Sequence, residues 1–392
     1  MKITRVGMDI AKQIFELHGV DERGQVVLRK TLRRERVMEF FARLESCAVG
    51  MEACGGAHYW ARELAGLGHT ARLLSASKVK PYVDGNKNNR HDAAAICEAM
   101  SRPSMRFVQP KSTAQQDLQT LHRARALVVR EMTALSNQLR GLLHEYGIAI
   151  GKGVAALRRA LPQLLEHDDQ RLTAVLRQVV AELWERYQYL EQRRASYDRQ
   201  LSSLCKQDQR CQRLLKIEGI GPLSATALVA AIGNGHEFKN GRHFSAYLGL
   251  VPGHSNTGDK TVMRGITKRG NRYLRTLLIH GGRAAVYAAR RHTNARSRWL
   301  NRLRETSCHN VAAVALANKN ARVAWAMLRY GEDYQPRRAH RQAADSAAAR
   351  TAQASPNAGL RRATRPPPPP IGAERIFSPR PPLLCRAGRK NA

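Results

Sequence analysis

The sequence predicts an α/β region followed by mainly helical regions, and three observations support this fold class. The first 110 residues alternate short strand-like runs with helix-like runs. Residues 112–147 and 170–204 repeat apolar side chains at three- and four-residue spacing, which is typical of helices that pack together. After residue 335 the chain becomes rich in Ala, Arg and Pro. We therefore expect four regions, at 1–110, 111–210, 211–334 and 335–392.

The N-terminal region is predicted to form a mixed sheet with helices on its faces. Three strand patterns come first, and helix and strand patterns then alternate, which is typical of such a sheet. The predicted strands are residues 3–9, 14–21, 25–30, 48–53 and 71–75. The predicted helices are residues 35–44, 56–67 and 92–100.

Three carboxylates occupy informative places in this region. Asp9 ends the first strand and Glu52 lies near the end of the fourth, so both interrupt apolar runs, and Asp92 opens a helix after the loop GNKNNRH. If the two strands are neighbours, the three acids can meet at one edge of the sheet. Clustered carboxylates are the usual protein ligands of Mg²⁺. In the simpler alternative, Asp92 is a helix N-terminal acid and Glu52 faces water.

The second region is predicted to be a long antiparallel helical hairpin that resembles a coiled coil. At 1.5 Å per residue, its first helix would be on the order of 50 Å long. An apolar seam of that length requires a partner helix, which residues 170–204 can provide. The hairpin is either scaffold alone or also a dimerisation arm.

The third region begins with LLKIEGIGPLSATALVAAI, which is similar to a helix-hairpin-helix element. Gly219 and Gly221 lie in its turn, where free backbone N–H groups at a helix start can bind a phosphate. A tight helix–helix turn without a ligand has the same pattern. Residues 296–330 are predicted to be helical again.

Residues 244–284 combine a Gly-rich turn, hydroxyl side chains and a run of cations. Ser255 and Thr257 carry the hydroxyls, and Gly258 follows them. A hydroxyl among cations can bind a phosphate, or it can attack one and become covalently attached to it. The cations predicted to contact nucleic acid are Lys260, Arg264, Lys268, Arg269, Arg272 and Arg275.

The charge balance predicts a polyanionic partner. Lys and Arg number 66 against 31 Asp and Glu, a formal net charge of +35. Such an excess favours nucleic acid through counterion release. A membrane surface is the alternative polyanion, but no apolar run approaches the roughly 20 residues of a transmembrane helix, and the N-terminus lacks a signal-peptide core. We therefore expect no membrane partner.

The cysteines and the tail complete the composition. The seven Cys are scattered without a C-x-x-C pair, which predicts reduced thiols in a cytoplasmic protein and neither disulfides nor a zinc site. Residues 335–392 form a basic, Pro-rich tail that cannot bury a core, and we expect it to be disordered. Its arginines either add non-specific nucleic-acid affinity or belong to a read-through tail without function.

Taken together, the motifs resemble the DEDD transposases of the Piv/MooV type, an insertion-sequence family whose members act as bridge-RNA-guided recombinases. The resemblance spans residues 4–334 and includes VGMDIAK, VGMEACGGAHYWARELAGLGH, FSAYLGLVPGHSNTGDK and GITKRGNRYLRTLLIHGGRA. It implies a ribonuclease H-like (RuvC-like) N-terminal domain with Mg²⁺, a coiled-coil insert and a C-terminal transposase domain that supplies a serine nucleophile. It also implies double-stranded DNA (element ends and target) and a guide RNA as partners, in the bacterial cytoplasm and at the nucleoid.

Two departures from the family pattern affect the chemistry. The family's acids are Asp, Glu, Asp, Asp, of which Asp9, Glu52 and Asp92 match three, whereas Asn89 stands where D-x-x-D-A has its first Asp. An Asn carbonyl can contact a metal but brings no charge, so we expect weaker Mg²⁺ binding, and Asp84 is a nearby candidate for partial compensation.

The second departure lies in the nucleophile loop, where the family commonly has Ser one or two places before the glycine. Here Thr257 directly precedes Gly258, and Ser255 lies one place further upstream than usual. We rank Thr257 first, although its β-branch restricts an attack. Glu218, where the family tends to have Pro, is expected to be tolerated.

These observations predict DNA strand exchange by a homodimer or homotetramer, because the acids and the hydroxyls lie in different domains that must be brought together. Asp9, Glu52 and Asp92 would hold Mg²⁺, and Thr257 or Ser255 would attack the phosphate. One alternative is a junction-resolving, metal-dependent nuclease in which water attacks. The other is a decayed transposase that binds DNA and RNA without cutting, which Asn89 and Asn256 favour.

Overall fold

The computed structural model describes residues 2–86, 88–166, 171–258 and 260–335. The predicted disordered tail lies outside these residues except for residue 335. The described chain forms a mixed sheet, a pair of long helices and a second helical cluster, in that order. None of the helices in these ranges is both long and apolar enough to cross a bilayer.

A six-stranded mixed sheet forms the N-terminal part. Its strands are β1 (Arg5–Ile10), β2 (Ile14–Val20), β3 (Val26–Arg33), β4 (Ala48–Glu52), β5 (Thr70–Leu74) and β6 (Phe107–Val108). Across the sheet their order is β3-β2-β1-β4-β5-β6. Strand β1 is parallel to β4, and β4 to β5, whereas β2, β3 and β6 pair antiparallel with their neighbours. The five predicted strands are confirmed, and the mixed sheet is consistent with a ribonuclease H-like domain.

Helices cover both faces of this sheet. They are α1 (Val37–Ala42), α2 (Ala57–Gly66), α3 (Ala76–Val79) and α4 (Asn89–Ser101), with 3₁₀ turns at Arg34–Arg36 and Lys80–Tyr82. Successive residues of a strand point to opposite faces. Accordingly, Leu73 packs in the core under α1 and α2, and its neighbour Leu74 packs in the core under α4. Helix α4 therefore lies on the face opposite α1 and α2.

Two long helices, α5 (Thr113–Glu145) and α7 (Ala174–Gln207), pack against each other as the predicted antiparallel pair. Two ion pairs, Arg125 with Asp198 and Glu131 with Arg186, show that the helices run antiparallel. The later residue on α5 pairs with the earlier residue on α7. Arg125, which interrupts the apolar stripe, is thus neutralised. A coiled coil in the strict sense remains a prediction.

Helix α6 (Val154–Glu166) lies between α5 and α7 along the chain, and it was not predicted from the sequence. Pro162 lies inside it, and an internal proline normally argues against a helix. Burial offsets that cost, because Leu157 and Leu161 are fully buried in the core of the helical pair.

The remaining described chain is a helical cluster with one hairpin. Its elements are α8 (Gln209–Leu215), α9 (Pro222–Ile232), α10 (Gly241–Tyr247), β7 (Pro252–Thr257), β8 (Lys260–Ile266), α11 (Arg272–Ala288), a 3₁₀ turn (Ala289–Arg291), α12 (Ala295–Thr306) and α13 (His309–Tyr330). Helix α9 is apolar on nearly all sides because α5, α7, α8 and α11 surround it.

Capping side chains explain where many of these helices begin. A capping side chain accepts a hydrogen bond from an N–H group that has no partner within the helix. Ser112 and Gln115 form a complete capping box at the start of α5. The other capping residues are Asn88, Thr173, Asp208, Asn240, Asn271 and Asn294.

A buried histidine joins α5 to the helical cluster. His122 Nε2 lies 3.0 Å from Thr226 Oγ1, and its Nδ1 lies 2.9 Å from the Tyr273 hydroxyl. Thr226 donates its own proton to the Pro222 carbonyl at 2.7 Å, so Nε2 donates and Nδ1 accepts from Tyr273. This arrangement suits a neutral imidazole. Burial, followed by the charge of Arg125, lowers the pKa of His122 to about 4.

Acid is therefore expected to weaken the folded protein through His122. The unfolded chain binds the proton with an ordinary pKa near 6.5, so stability falls as the pH drops from 6.5 towards 4, by up to about 3 kcal/mol. Urea unfolding at several pH values tests this, with His122→Gln expected to flatten part of the dependence. The exposed His144 provides a matched control, His144→Gln. An unchanged pH dependence in His122→Gln would contradict the prediction.

Candidate active site

The predicted acids Asp9 and Glu52 lie side by side on one face of the sheet. Met8 pairs with Met51 in the parallel register of β1 and β4, so the next residues, Asp9 and Glu52, are neighbours at the carboxyl ends of these strands. Both side chains are half-buried. The condition for the predicted meeting of these acids is met, because the first and fourth strands are neighbours.

Helix α4 brings the third acid to this face. Asn88 caps the helix, and Asp92 lies in its first turn, half-buried. The helix lies close to β1 because Gly7 has no side chain: a Cβ there would lie 2.1 Å from the Ala93 carbonyl oxygen. Gly7 and Asp9 are two residues apart and so share the face that α4 covers.

The electrostatics of Glu52 reflect this proximity. Burial raises the pKa of Glu52, and the negative charges of Asp9 and Asp92 raise it further. The three carboxylates therefore repel one another. They fit a divalent cation by donor type, since oxygen ligands suit Mg²⁺. In the described part of the chain, however, no three His, Cys, Asp or Glu side chains are gathered closely enough to form a finished metal site.

The residue that departs from the family pattern lies beside this group. Asn89 is the first residue of α4, three places before Asp92, so the two share one side of the helix. It is exposed, as is Asp84 in the loop before the helix.

The candidate nucleophiles lie on a different element, the hairpin of β7 and β8. Thr257 is exposed at the end of β7 and pairs with Lys260, whereas Ser255 is half-buried and pairs with Val262. Gly258 has a φ of 53°, which the turn between the strands requires. Neither strand of this hairpin packs extensively on any described strand of the six-stranded sheet. Asp9, Glu52 and Asp92 thus lie on one face of the sheet, whereas the hairpin that carries the hydroxyls has no extensive packing on the described strands of that sheet.

Four of the predicted cations are exposed on the hairpin or just after it, whereas the prediction for Arg275 needs correction. The exposed cations are Arg264, Lys268, Arg269 and Arg272. Arg275 is only 9% exposed, and its Nη1 donates to the carbonyls of Leu248 at 2.8 Å and Arg269 at 3.1 Å. It holds the loop that flanks the hairpin from the inside and does not present its charge to a ligand.

The glycine turn before α9 also differs from the prediction. Gly219 has a φ of 86°, and a Cβ there would lie 2.8 Å from the Gly281 carbonyl oxygen of α11. Position 219 therefore requires glycine, because its backbone lies against the backbone of a neighbouring helix. Gly221 is exposed at the N-cap of α9 with open space around it, so only this part of the turn is accessible to a phosphate.

Glu16, which was not among the residues predicted from the sequence, lies directly opposite Asp9 in the register of β1 and β2. Thr31 donates to its carboxylate at 2.9 and 3.0 Å, and Arg90 Nε lies 4.0 Å from it. The available signal was the alternation of polar Glu16 and His18 with the buried Phe15 and Leu17 in β2.

Comparison with known proteins places the chain in a family. A DEDD transposase family model of the IS110 type matches residues 6–148, and the transposase IS116/IS110/IS902 family model matches residues 211–299. A probable family 20 transposase of Pseudomonas aeruginosa is 50% identical over 337 residues, which are 86% of this chain and 100% of that protein. A transposase for insertion sequence element IS1111A of Coxiella burnetii is 43% identical, covering 85% of this chain and 91% of that protein.

A third relative agrees with these. The transposase for insertion sequence element IS1328 of Yersinia enterocolitica is 38% identical over 84% of this chain and 98% of that protein. Both family models and all three relatives point the same way, and this chain therefore belongs to the IS110-type family of DEDD transposases.

Proposed function

We propose that this chain cuts and exchanges DNA strands at the ends of an insertion sequence and at its target, with Asp9, Glu52 and Asp92 holding Mg²⁺. The placement of the three acids carries the proposal, because Asp9 and Glu52 lie at adjacent strand ends and Asp92 lies in the first turn of the helix on the same face. Burial raises the pKa of Glu52, and the charges of Asp9 and Asp92 raise it further. A cluster of carboxylates that repel one another at the carboxyl edge of a sheet is stabilised by a cation. When bound there, Mg²⁺ would polarise the scissile phosphate.

A hydroxyl of the hairpin acts as the nucleophile in this proposal. Thr257 remains ranked above Ser255, because its side chain is exposed at the hairpin end while Ser255 is half-buried between strands. The threonine hydroxyl gives its proton to solvent as its oxygen forms a bond to phosphorus. The bond from phosphorus to the leaving oxygen of the cut strand breaks, and that oxygen takes up a proton from solvent. The exposed cations hold the backbone and stabilise the charged transition state: Lys268, Arg264, Arg269 and Arg272.

The separation of hydroxyls and acids favours an oligomer. Since the hairpin does not pack extensively on the described sheet, the two halves of the chemistry are best completed by a second copy. We propose a homodimer or homotetramer joined through the pair α5 and α7. A guide RNA would select the DNA sequence by base pairing, which suits a chain with a net charge of +35.

A covalent protein–DNA adduct is the expected product that tests the nucleophile. Purified protein is incubated with element-end DNA, its flanking RNA and Mg²⁺, and protein-linked DNA is sought on a denaturing gel. Thr257→Ala is expected to abolish the adduct and Ser255→Ala to retain it. The exposed Thr276 of α11 supplies a control, Thr276→Ala, that removes a hydroxyl elsewhere on the same helical cluster.

Other outcomes identify the alternatives. Loss of the adduct in Ser255→Ala alone would assign the nucleophile to Ser255. Cleavage without any adduct would replace the recombinase with a nuclease in which water attacks. An adduct that forms only in Asn89→Asp would mark a recombinase disabled at its metal site.

A further inference from the structure

A polar cleft of about 360 Å³ lies between the first turn of α4 and strands β2 and β3. We call it the α4 cleft. Its volume falls within the range of about 300–1,000 Å³ that is usual for ligand sites. Its lining includes Glu16, His18, Arg29, Thr31, Arg90 and His91.

The α4 cleft continues directly from the acids. Glu16 of the cleft is the register partner of Asp9, so one row of side chains runs from β2 across β1 to Glu52 on β4. On the helix side, Arg90 precedes Asp92 by two residues. A DNA strand with one phosphate at Asp9, Glu52 and Asp92 would therefore pass next along the α4 cleft.

The charge of the cleft is mainly positive. Glu16 is its one acid, and the Thr31 hydroxyl and the Arg90 guanidinium already engage that carboxylate. Arg29 is exposed, and among the described residues no ion pair neutralises it. His18 on β2 is the register partner of Arg29 on β3. Burial lowers the pKa of His18, and the charge of Arg29 lowers it further. Arg29 thus faces into the cleft with its charge uncompensated by an acid.

We propose that the α4 cleft binds the backbone of the DNA strand beside the phosphate to be cut, with Arg29 and Arg90 contacting one phosphodiester. This inference rests on the proposed function, since it assigns the path of the cut strand next to the acids. Positively charged grooves follow the backbone of single strands, and guanidinium groups match phosphate oxygens in pairs. In this proposal the strand is unpaired where it enters the cleft, whose volume is about 360 Å³.

The test measures DNA binding without cleavage. Full-length protein is titrated with a short mixed-sequence single-stranded oligodeoxynucleotide in EDTA, and anisotropy is followed at several salt concentrations. Arg29→Gln and Arg90→Gln are each expected to weaken binding about five- to tenfold. Each is also expected to reduce the slope of log K against log salt by about 0.7, the loss of one phosphate contact with a single strand.

Lys30→Gln is the matched control because it removes the same charge from the adjacent residue. Lys30 also borders the cleft, but its ammonium lies 5.0 Å from the Phe40 ring centroid, on the α1 side of the sheet. Its replacement is expected to leave affinity and salt slope nearly unchanged. Arg29 lies exposed on the edge strand β3, so Arg29→Gln leaves the packed core intact.

Each outcome bears on a different statement. Equal losses of DNA affinity in Arg29→Gln and Lys30→Gln would overturn the proposed role of the cleft. They would attribute DNA binding to the general positive charge of the surface and leave the proposed function unaffected. A loss confined to an RNA oligonucleotide of the same sequence would overturn the assignment to DNA. Wild-type protein that binds no DNA at all would overturn the proposed function together with the cleft.

Discussion

Replacing Asp9 with Asn is expected to reduce DNA strand cleavage about a thousandfold or more while DNA binding is retained. Asp9 lies between Glu16 and Glu52 in the row of side chains across β2, β1 and β4. Asn keeps the shape of the side chain but removes the charge on which cation binding depends. Cleavage of element-end DNA and anisotropy of the same DNA in EDTA measure the two effects separately.

The variant also carries a readout that does not depend on activity. Because the Asp9 charge raises the pKa of Glu52, Asp9→Asn should lower that pKa, which NMR titration of the Glu52 carboxyl would detect. The exposed Glu22 provides the control Glu22→Gln, which removes a charge from the turn after β2 and should leave cleavage unchanged. Full cleavage by Asp9→Asn would remove Asp9 from the proposed mechanism.

Replacing Gly7 with Ala is expected to destabilise the N-terminal sheet and to disable cleavage together. The added Cβ would lie 2.1 Å from the Ala93 carbonyl oxygen and 2.6 Å from the Cys97 amide nitrogen, both of them backbone atoms of α4. Overpacking of a core typically costs about 1–3 kcal/mol, and a contact with backbone leaves no rotamer to relieve it. Helix α4 must move away from β1, and Asp92 moves with it.

Urea unfolding and the cleavage assay on one preparation test this coupling. The control is Gly66→Ala at the end of α2, where a Cβ meets nothing within 4 Å, so stability should not fall and should rise by up to about 1 kcal/mol. A Gly7→Ala protein with unaltered stability would show that α4 can move away from β1 without a cost in folding free energy. A destabilised variant that still cleaves normally would show that the position of Asp92 does not depend on this contact.

The sheet could be predicted from the sequence because β1 and β4 are short buried apolar runs and most of β2 alternates buried with less buried residues. The hairpin of β7 and β8 could not, since PGHSNT is mostly exposed and has no apolar alternation to mark it. Its pairing depends on the turn at Gly258 and on the backbone ladder. Strand β6 has only two residues, too few to show any period.

The site was predictable to the extent that residue type reveals chemistry. Asp9 and Glu52 interrupt apolar strands, and that pattern alone predicted a carboxylate site at one edge of the sheet. The direction of a side chain is not visible in the same way: Arg275 sits in a run of surface cations and points inward to two carbonyls. Gly219 belongs to a plausible phosphate turn and serves a helix crossing instead. Glu16 needed the strand register before its place beside Asp9 could be known.

If the proposed oligomer joins the hairpin of one copy to the carboxylates of another, the protein's activity depends on its own abundance. If a reacting centre is completed only when two copies meet, cleavage at low protein levels rises with the square of the concentration. A cell that holds a few molecules is then protected from stray breaks without any inhibitor. Under that arrangement the element would move mainly in the rare cell with a high level of the protein, so the distance between two surfaces of one polypeptide would set a dosage threshold.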